Sequence, residues 1–151
     1  MRVAIQMDPI DPIDINADST FRLAEEAAGR GAELFYYTPD RLALDEGRVT
    51  ARGWPLTVRR KLGDHFSLGA EQTFDLVDMD VVWLRQDPPF DMGYITTTHL
   101  LERLAGETLV VNDPFWVRNY PEKLLVLTFP DLTPPTTIAR DLDTLLSLIH
   151  I

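Results

Sequence analysis

Residues 3–37 read as a strand, a helix and a second strand, and that order constrains the fold more than any other feature of the chain. Val3-Ala4-Ile5 is a short apolar run suited to a central strand, and Met7-Asp8-Pro9 ends it because proline lacks a ladder donor. A loop leads to Asp18-Ser19. Either side chain can cap a helix by accepting from the free N–H groups of the first turn. The spacing predicts a helix from about Thr20 to Arg30, with Phe21, Ala24 and Ala28 on one stripe and Leu23 and Ala27 beside it. Gly31 suits the stop, since it tolerates the left-handed conformation. Glu33–Tyr37 is then the next strand. A β–α–β unit implies parallel strands and a right-handed crossover.

The pattern changes between Arg41 and Phe74. Leu42-Ala43-Leu44, Glu46-Gly47 and Val49-Thr50-Ala51 predict a β-hairpin, and Leu56-Thr57-Val58 and Phe66-Ser67-Leu68 are further short strand candidates. The βα rhythm resumes at Val81–Leu84, a continuous apolar run of the kind covered on both faces. A helix from about Gly93 to Leu104 follows, with Asp91 placed to cap it. Leu109-Val110-Val111 reads as another buried strand, broken by Asn112-Asp113-Pro114. A short helix is expected around Glu122–Leu127 and a strand at Thr136–Ala139, and Asp141 could cap a last helix. The expected fold class is α/β: a mainly parallel sheet with a β-hairpin insertion. Ligands of such sheets sit in the crevice at the carboxyl ends of the strands, here just after Val3–Gln6, Val81–Leu84 and Leu109–Val111.

The charge balance narrows the partners. Asp and Glu number 24 against 14 Lys and Arg, for a formal net charge of -10. An acidic surface repels phosphate backbones and anionic lipid, which argues against nucleic acid and membrane. A small anion held by one or two local cations remains compatible. The chain has no cysteine, which excludes disulfides, thiolate zinc sites and cysteine nucleophiles. The N-terminus does not read as a signal peptide, and no apolar run approaches bilayer-spanning length. Cytoplasm is the expected location.

Several catalytic signatures are absent, including the glycine-rich phosphate loops, H-E-x-x-H and G-x-S-x-G. His65, His99 and His150 are far apart in sequence and read as structural or surface residues. Asp8, Asp11 and Asp14 lack the spacing of a calcium loop and read as turn-formers beside prolines. Arg59-Arg60-Lys61 is the densest positive run, either a solvated turn or an anion patch. Arg85 follows a buried strand, so its guanidinium should emerge at the crevice. There it either meets a carboxylate or phosphate through its planar fork, or pairs with Asp87 or Asp91 to tie the loop. Pro88 and Pro89 stiffen that loop in both cases. Lys123, at a helix start, reads on chemistry alone as a solvated lysine.

Taken in order, Met7-Asp8-Pro9-Ile10, Asp18-Ser19-Thr20-Phe21, Leu84-Arg85-Gln86-Asp87-Pro88-Pro89-Phe90-Asp91, Val111-Asn112, Glu122-Lys123-Leu124 and Leu132-Thr133-Pro134 resemble the prokaryotic glutathione synthetase family. The resemblance runs to about Leu145, and the Arg-x-Asp-Pro-Pro-Phe-Asp block is its most specific part. It implies an ATP-grasp ligase of glutathione biosynthesis. Such an enzyme phosphorylates the carboxylate of γ-glutamylcysteine with ATP and Mg²⁺ (Mn²⁺ as an alternative), and the glycine amine attacks the acyl phosphate. By the same resemblance, residues 1–118 form a Rossmann-like, pre-ATP-grasp substrate-binding domain and 119–151 begin the ATP-grasp domain. Arg85 matches an arginine associated with the peptide, Lys123 matches an ATP-contacting lysine, and family members assemble as homo-oligomers.

Two departures accompany the match. Ile13-Asp14-Ile15 stands where the family commonly has Ile-Asn-Ile, and an ionised Asp14 cannot donate as an amide would. The family's second lysine, glycine-rich lid and Mg²⁺ ligands are not found, and Leu146–Ile151 is an apolar tail where a charged helix is expected. The resemblance therefore implies a chain cut inside its second domain, inactive alone and loosely ordered over Thr136–Ile151. The alternative is a non-catalytic α/β module that binds a peptide carboxylate or mediates oligomerisation.

Overall fold

The computed structural model describes residues 1–149. His150 and Ile151, the end of the apolar tail, lie outside the described residues. The chain forms two compact units, one over Met1–Arg118 and one from Asn119 onward.

In the first unit, β1 (Arg2–Gln6) leads through a loop to α1 (Ser19–Gly29) and β2 (Glu33–Tyr37). Asp18, not Ser19, caps α1: its Oδ1 accepts from the Phe21 N–H at 2.6 Å. Gly31 takes a φ of 82°, as the helix stop requires. β3 (Leu42–Asp45) turns through Glu46-Gly47, both at positive φ, into β4 (Arg48–Val58). β5 (Phe66–Leu68), β6 (Gln72–Asp75) and β7 (Val81–Leu84) follow, then α2 (Met92–Glu102), β8 (Leu109–Val111) and α3 (Pro114–Asn119).

Among the described residues the sheet has eight strands in the order β3-β4-β2-β1-β7-β8, with β5 and β6 also on β4. β2, β1, β7 and β8 are parallel, while every pairing of β4 is antiparallel. The sheet is therefore mixed, because β4 serves four partners and not one hairpin. Leu56-Thr57-Val58 is its second half, continuous with the hairpin arm. Gly53 and Pro55 sit inside it without ending it: the first half pairs with β3 and β6, the second with β2 and β5.

Alternation along the strands fills two cores. Val3, Ile5, Leu34 and Tyr36 join Ala24 and Ala27 of α1 on one face. Ala4, Phe35, Tyr37, Val82 and Leu84 join Leu101 of α2 on the other. β8 departs from expectation. Leu109 is 63% and Val111 42% exposed, because β8 pairs only with β7 and forms the sheet's edge.

Asp75 ties β6 to β4 at the start of a 3₁₀ turn over Leu76–Asp78. Its Oδ1 accepts from the Val77 N–H at 3.0 Å, and its other oxygen pairs with Arg48. The Val77 bond chiefly, with Arg48 adding, holds this carboxyl below the usual range against the opposing effect of burial. A depressed folded pKa gives stability that is present above the unfolded value and lost as pH falls through the folded one. Asp75→Asn keeps an acceptor for the Val77 N–H but loses the ion pair with Arg48, and is expected to cost about 0.5 kcal/mol at neutral pH. It should also flatten the loss of stability as pH falls through and below the ordinary carboxylate range. Urea melts at both pH extremes check this.

The second unit holds α4 (Glu122–Leu125), two 3₁₀ turns and α5 (Leu142–Ile149). Asp141 caps α5, accepting from the Thr144 N–H at 2.9 Å. Thr136–Ala139 is not a strand. A strand needs a ladder partner, and among the described residues this exposed stretch after Pro134-Pro135 has none.

Candidate functional site

The carboxyl ends of β1 and β7 lie side by side, with Gln6 in register with Leu84. Arg85 extends that ladder by one bond, its N–H donating to the Gln6 carbonyl at 2.9 Å. Its backbone is thus fixed by the centre of the sheet. Its side chain is fixed by the start of α1: Nε donates to Thr20 Oγ1 at 2.9 Å and Nη2 to Ser19 Oγ at 2.7 Å.

Neither aspartate that could have quenched Arg85 does so. Asp91 caps α2, accepting from the Tyr94 N–H at 3.0 Å. Asp87 turns its N–H to Asp8 Oδ2 at 2.7 Å, joining the loops after β7 and β1. Among the described residues Arg85 enters no ion pair. Both its hydrogen-bond partners are neutral hydroxyls, so neither cancels its charge. Tyr94, on the first turns of α2, is influenced by Arg85, Asp87 and Asp8. Burial raises its pKa most, Arg85 opposes, and the two aspartates add to the rise. It is a neutral hydroxyl at physiological pH.

The loop after β1 is also held in place. The Tyr36 hydroxyl accepts from the Ile10 N–H at 3.2 Å and donates to the Asp8 carbonyl at 3.4 Å. Burial keeps that phenol protonated, with the Ile10 bond opposing. His65 Nε2 meets the Ile10 carbonyl at 2.9 Å, and its ring packs edge-on against Phe21. The histidine is structural, as its isolation in sequence suggested. Beside this loop lies a cleft of about 590 Å³ lined by residues that include Asp8, Tyr36, Arg41, Trp54 and Gln86. Arg41 lies over the Trp54 ring at 4.4 Å and pairs with Glu71. Arg85 is outside the lining of this cleft.

The other candidates resolve locally. Asp14 is a turn-former, its Oδ1 accepting from the Asn16 N–H at 2.9 Å. Arg59 and Lys61 both pair with Asp64, whose carboxyl their hydrogen bonds hold well below the usual range, and Arg60 pairs with Glu25. That run is a solvated, internally paired turn. Lys123 is exposed on α4 in the second unit, while Arg85 belongs to the first. Among the described residues no group of three His, Asp or Glu side chains could hold a metal ion. Sequence reasoning missed Thr20 and Ser19 as partners of Arg85. They lie 65 and 66 residues away; Ser19 reads locally as a candidate cap and Thr20 as the first residue of the helix.

The fold and this edge define an α/β domain that presents one preorganised guanidinium beside the carboxyl ends of its parallel strands. The chain belongs to the prokaryotic glutathione synthetase family: residues 1–118 match that family's N-terminal domain. It is 57% identical over 141 residues to a glutathione synthetase of Brucella melitensis, covering 93% of this chain and 45% of that protein. The corresponding enzyme of Mesorhizobium japonicum is 56% identical over the same shares, and that of Yersinia pestis 42% over 95% of this chain and 45% of its own length. The chain thus spans a little under half the length of the curated relatives it matches.

Proposed function

We propose that this chain is the peptide-binding portion of a glutathione synthetase, the ligase that joins γ-glutamylcysteine to glycine at the expense of ATP. The observation that carries the reading is Arg85, fixed by strand and helix yet, among the described residues, paired with no carboxylate, in a chain of this family. A guanidinium so held suits a peptide carboxylate, taken bidentately. In this reading residues 1–118 are the Rossmann-like, pre-ATP-grasp domain and 119–151 the start of the ATP-grasp domain. Lys123 is assigned to ATP. Homo-oligomeric assembly and a cytoplasmic location belong to the same reading. No helix among the described residues is long and apolar enough to cross a membrane.

ATP and Mg²⁺, or Mn²⁺ in its place, are the cofactors of the whole reaction. Bound metal would neutralise charge on the transferring phosphoryl group. The residues described here do not fit the metal, since no three carboxylates or histidines converge, and Lys123 by itself is no nucleotide cradle. The same observation favours a second reading, a module that holds the peptide without catalysis.

The two readings separate in a chimera. This chain replaces the matching segment of the Brucella melitensis relative, and glutathione formation is assayed with γ-glutamylcysteine, glycine, ATP and Mg²⁺. The chimera is expected to make glutathione and the 151-residue chain alone to make none. A folded, inactive chimera would favour the non-catalytic module, and ligation by the chain alone would contradict its expected inactivity.

A further inference from the structure

We propose that Thr20 and Ser19 are positioning residues that set the Arg85 guanidinium for its ligand, an inference that rests on reading Arg85 as the group that holds the peptide carboxylate. A guanidinium offers five N–H donors in one plane. The two hydroxyls take one from Nε and one from Nη2, which orients the plane and leaves the remaining donors for a carboxylate. Both acceptors are neutral, so they orient the cation without cancelling its charge. An aspartate or glutamate at either position would do the first and undo the second.

The geometry of the two hydroxyls is itself fixed. Thr20 is 4% exposed, and a β-branched side chain in a helix has few rotamers. Asp18 anchors the turn that carries both residues through the Phe21 N–H. The Arg85 N–H to Gln6 bond fixes the other end of the side chain. The guanidinium is therefore held between two rigid elements before any ligand arrives, and such preorganisation lowers the ordering cost of binding. Thr20 and Ser19 need not touch the peptide to affect its affinity.

The test compares wild type with Thr20→Val, Thr20→Ser, Ser19→Ala and Arg85→Ala, all as the 151-residue chain. One measurement is calorimetric affinity for γ-glutamylcysteine. The other is hydrogen exchange at the Arg85 Nε–H, identified in NMR spectra by its loss in Arg85→Ala. Thr20→Val keeps volume and removes the acceptor. It is expected to speed Nε–H exchange and to weaken peptide binding roughly tenfold, while Thr20→Ser retains both properties. Ser19→Ala, at a less buried position, should weaken binding in the same direction and decides the matter if Thr20→Val does not fold. If Arg85→Ala weakens binding while Thr20→Val and Ser19→Ala bind as wild type, the positioning role is overturned and the reading of Arg85 stands. If Arg85→Ala binds as wild type, or wild type does not bind the peptide, both fall.

Discussion

Gly53→Val is expected to leave the chain without a cooperative folding transition. β4 is the strand on which β2, β3, β5 and β6 all pair, and Gly53 lies where its two halves meet. A Cβ at this position would collide with the Tyr36 carbonyl oxygen and lie 2.9 Å from Tyr37 Cβ. Neither can yield cheaply, because Tyr36 and Tyr37 are buried residues of β2 that face opposite cores. Overpacking of this kind costs about 3 kcal/mol for one added methyl and more for a branched side chain. A domain of this size has roughly 5–15 kcal/mol in total. Gly53→Ala should lower stability by about 3 kcal/mol in urea melts. Gly29→Ala, where an added Cβ meets nothing within 4 Å, should be neutral or slightly stabilising. Equal melts for the two alanine variants would show that β4 does not pass Tyr36 as described.

The second large effect is on binding. Arg85→Ala is expected to weaken γ-glutamylcysteine affinity about 100-fold, or about 2.7 kcal/mol. That is the scale of removing one partner from a hydrogen-bonded charge pair. Folding should survive, because the backbone bond from residue 85 to the Gln6 carbonyl does not depend on the side chain. Arg85→Lys should recover little. A single ammonium cannot hold Thr20, Ser19 and a planar carboxylate together, as the fork of a guanidinium can. A lysine variant that binds as wild type would mean that charge alone suffices.

The parts of the fold that could be read from the sequence are those written within a few residues. Asp18 and Asp91 cap helices whose N–H groups lie three residues away, and Glu46-Gly47 makes a turn between adjacent strands. Such signals do not depend on the rest of the chain. Ladder partners do. Gly53 and Pro55 look like breaks to a local reading, yet β4 continues through them because β2 and β6 pair across this stretch. Leu109-Val110-Val111 has the composition of a buried strand, but its place at the sheet edge leaves Leu109 exposed. The site divides the same way. Position after a buried strand was enough to single out Arg85 and to place it at the carboxyl ends of β1 and β7. That its internal partners are hydroxyls and not Asp87 or Asp91 was not legible, because Thr20 and Ser19 sit at the start of α1, far away in sequence. Lys123 carries no local signal beyond a helix start, and only the family resemblance selects it.

In the proposed function the carboxyl edge of β1 and β7 holds a peptide carboxylate through Arg85. This is tested most directly by calorimetric titration of the 151-residue chain with γ-glutamylcysteine and, in parallel, with the same peptide amidated at both carboxylates. The acid is expected to bind, and the diamide to bind at least about tenfold more weakly. Equal affinity for the two peptides, or no binding of the acid, would remove Arg85 from a peptide-carboxylate site.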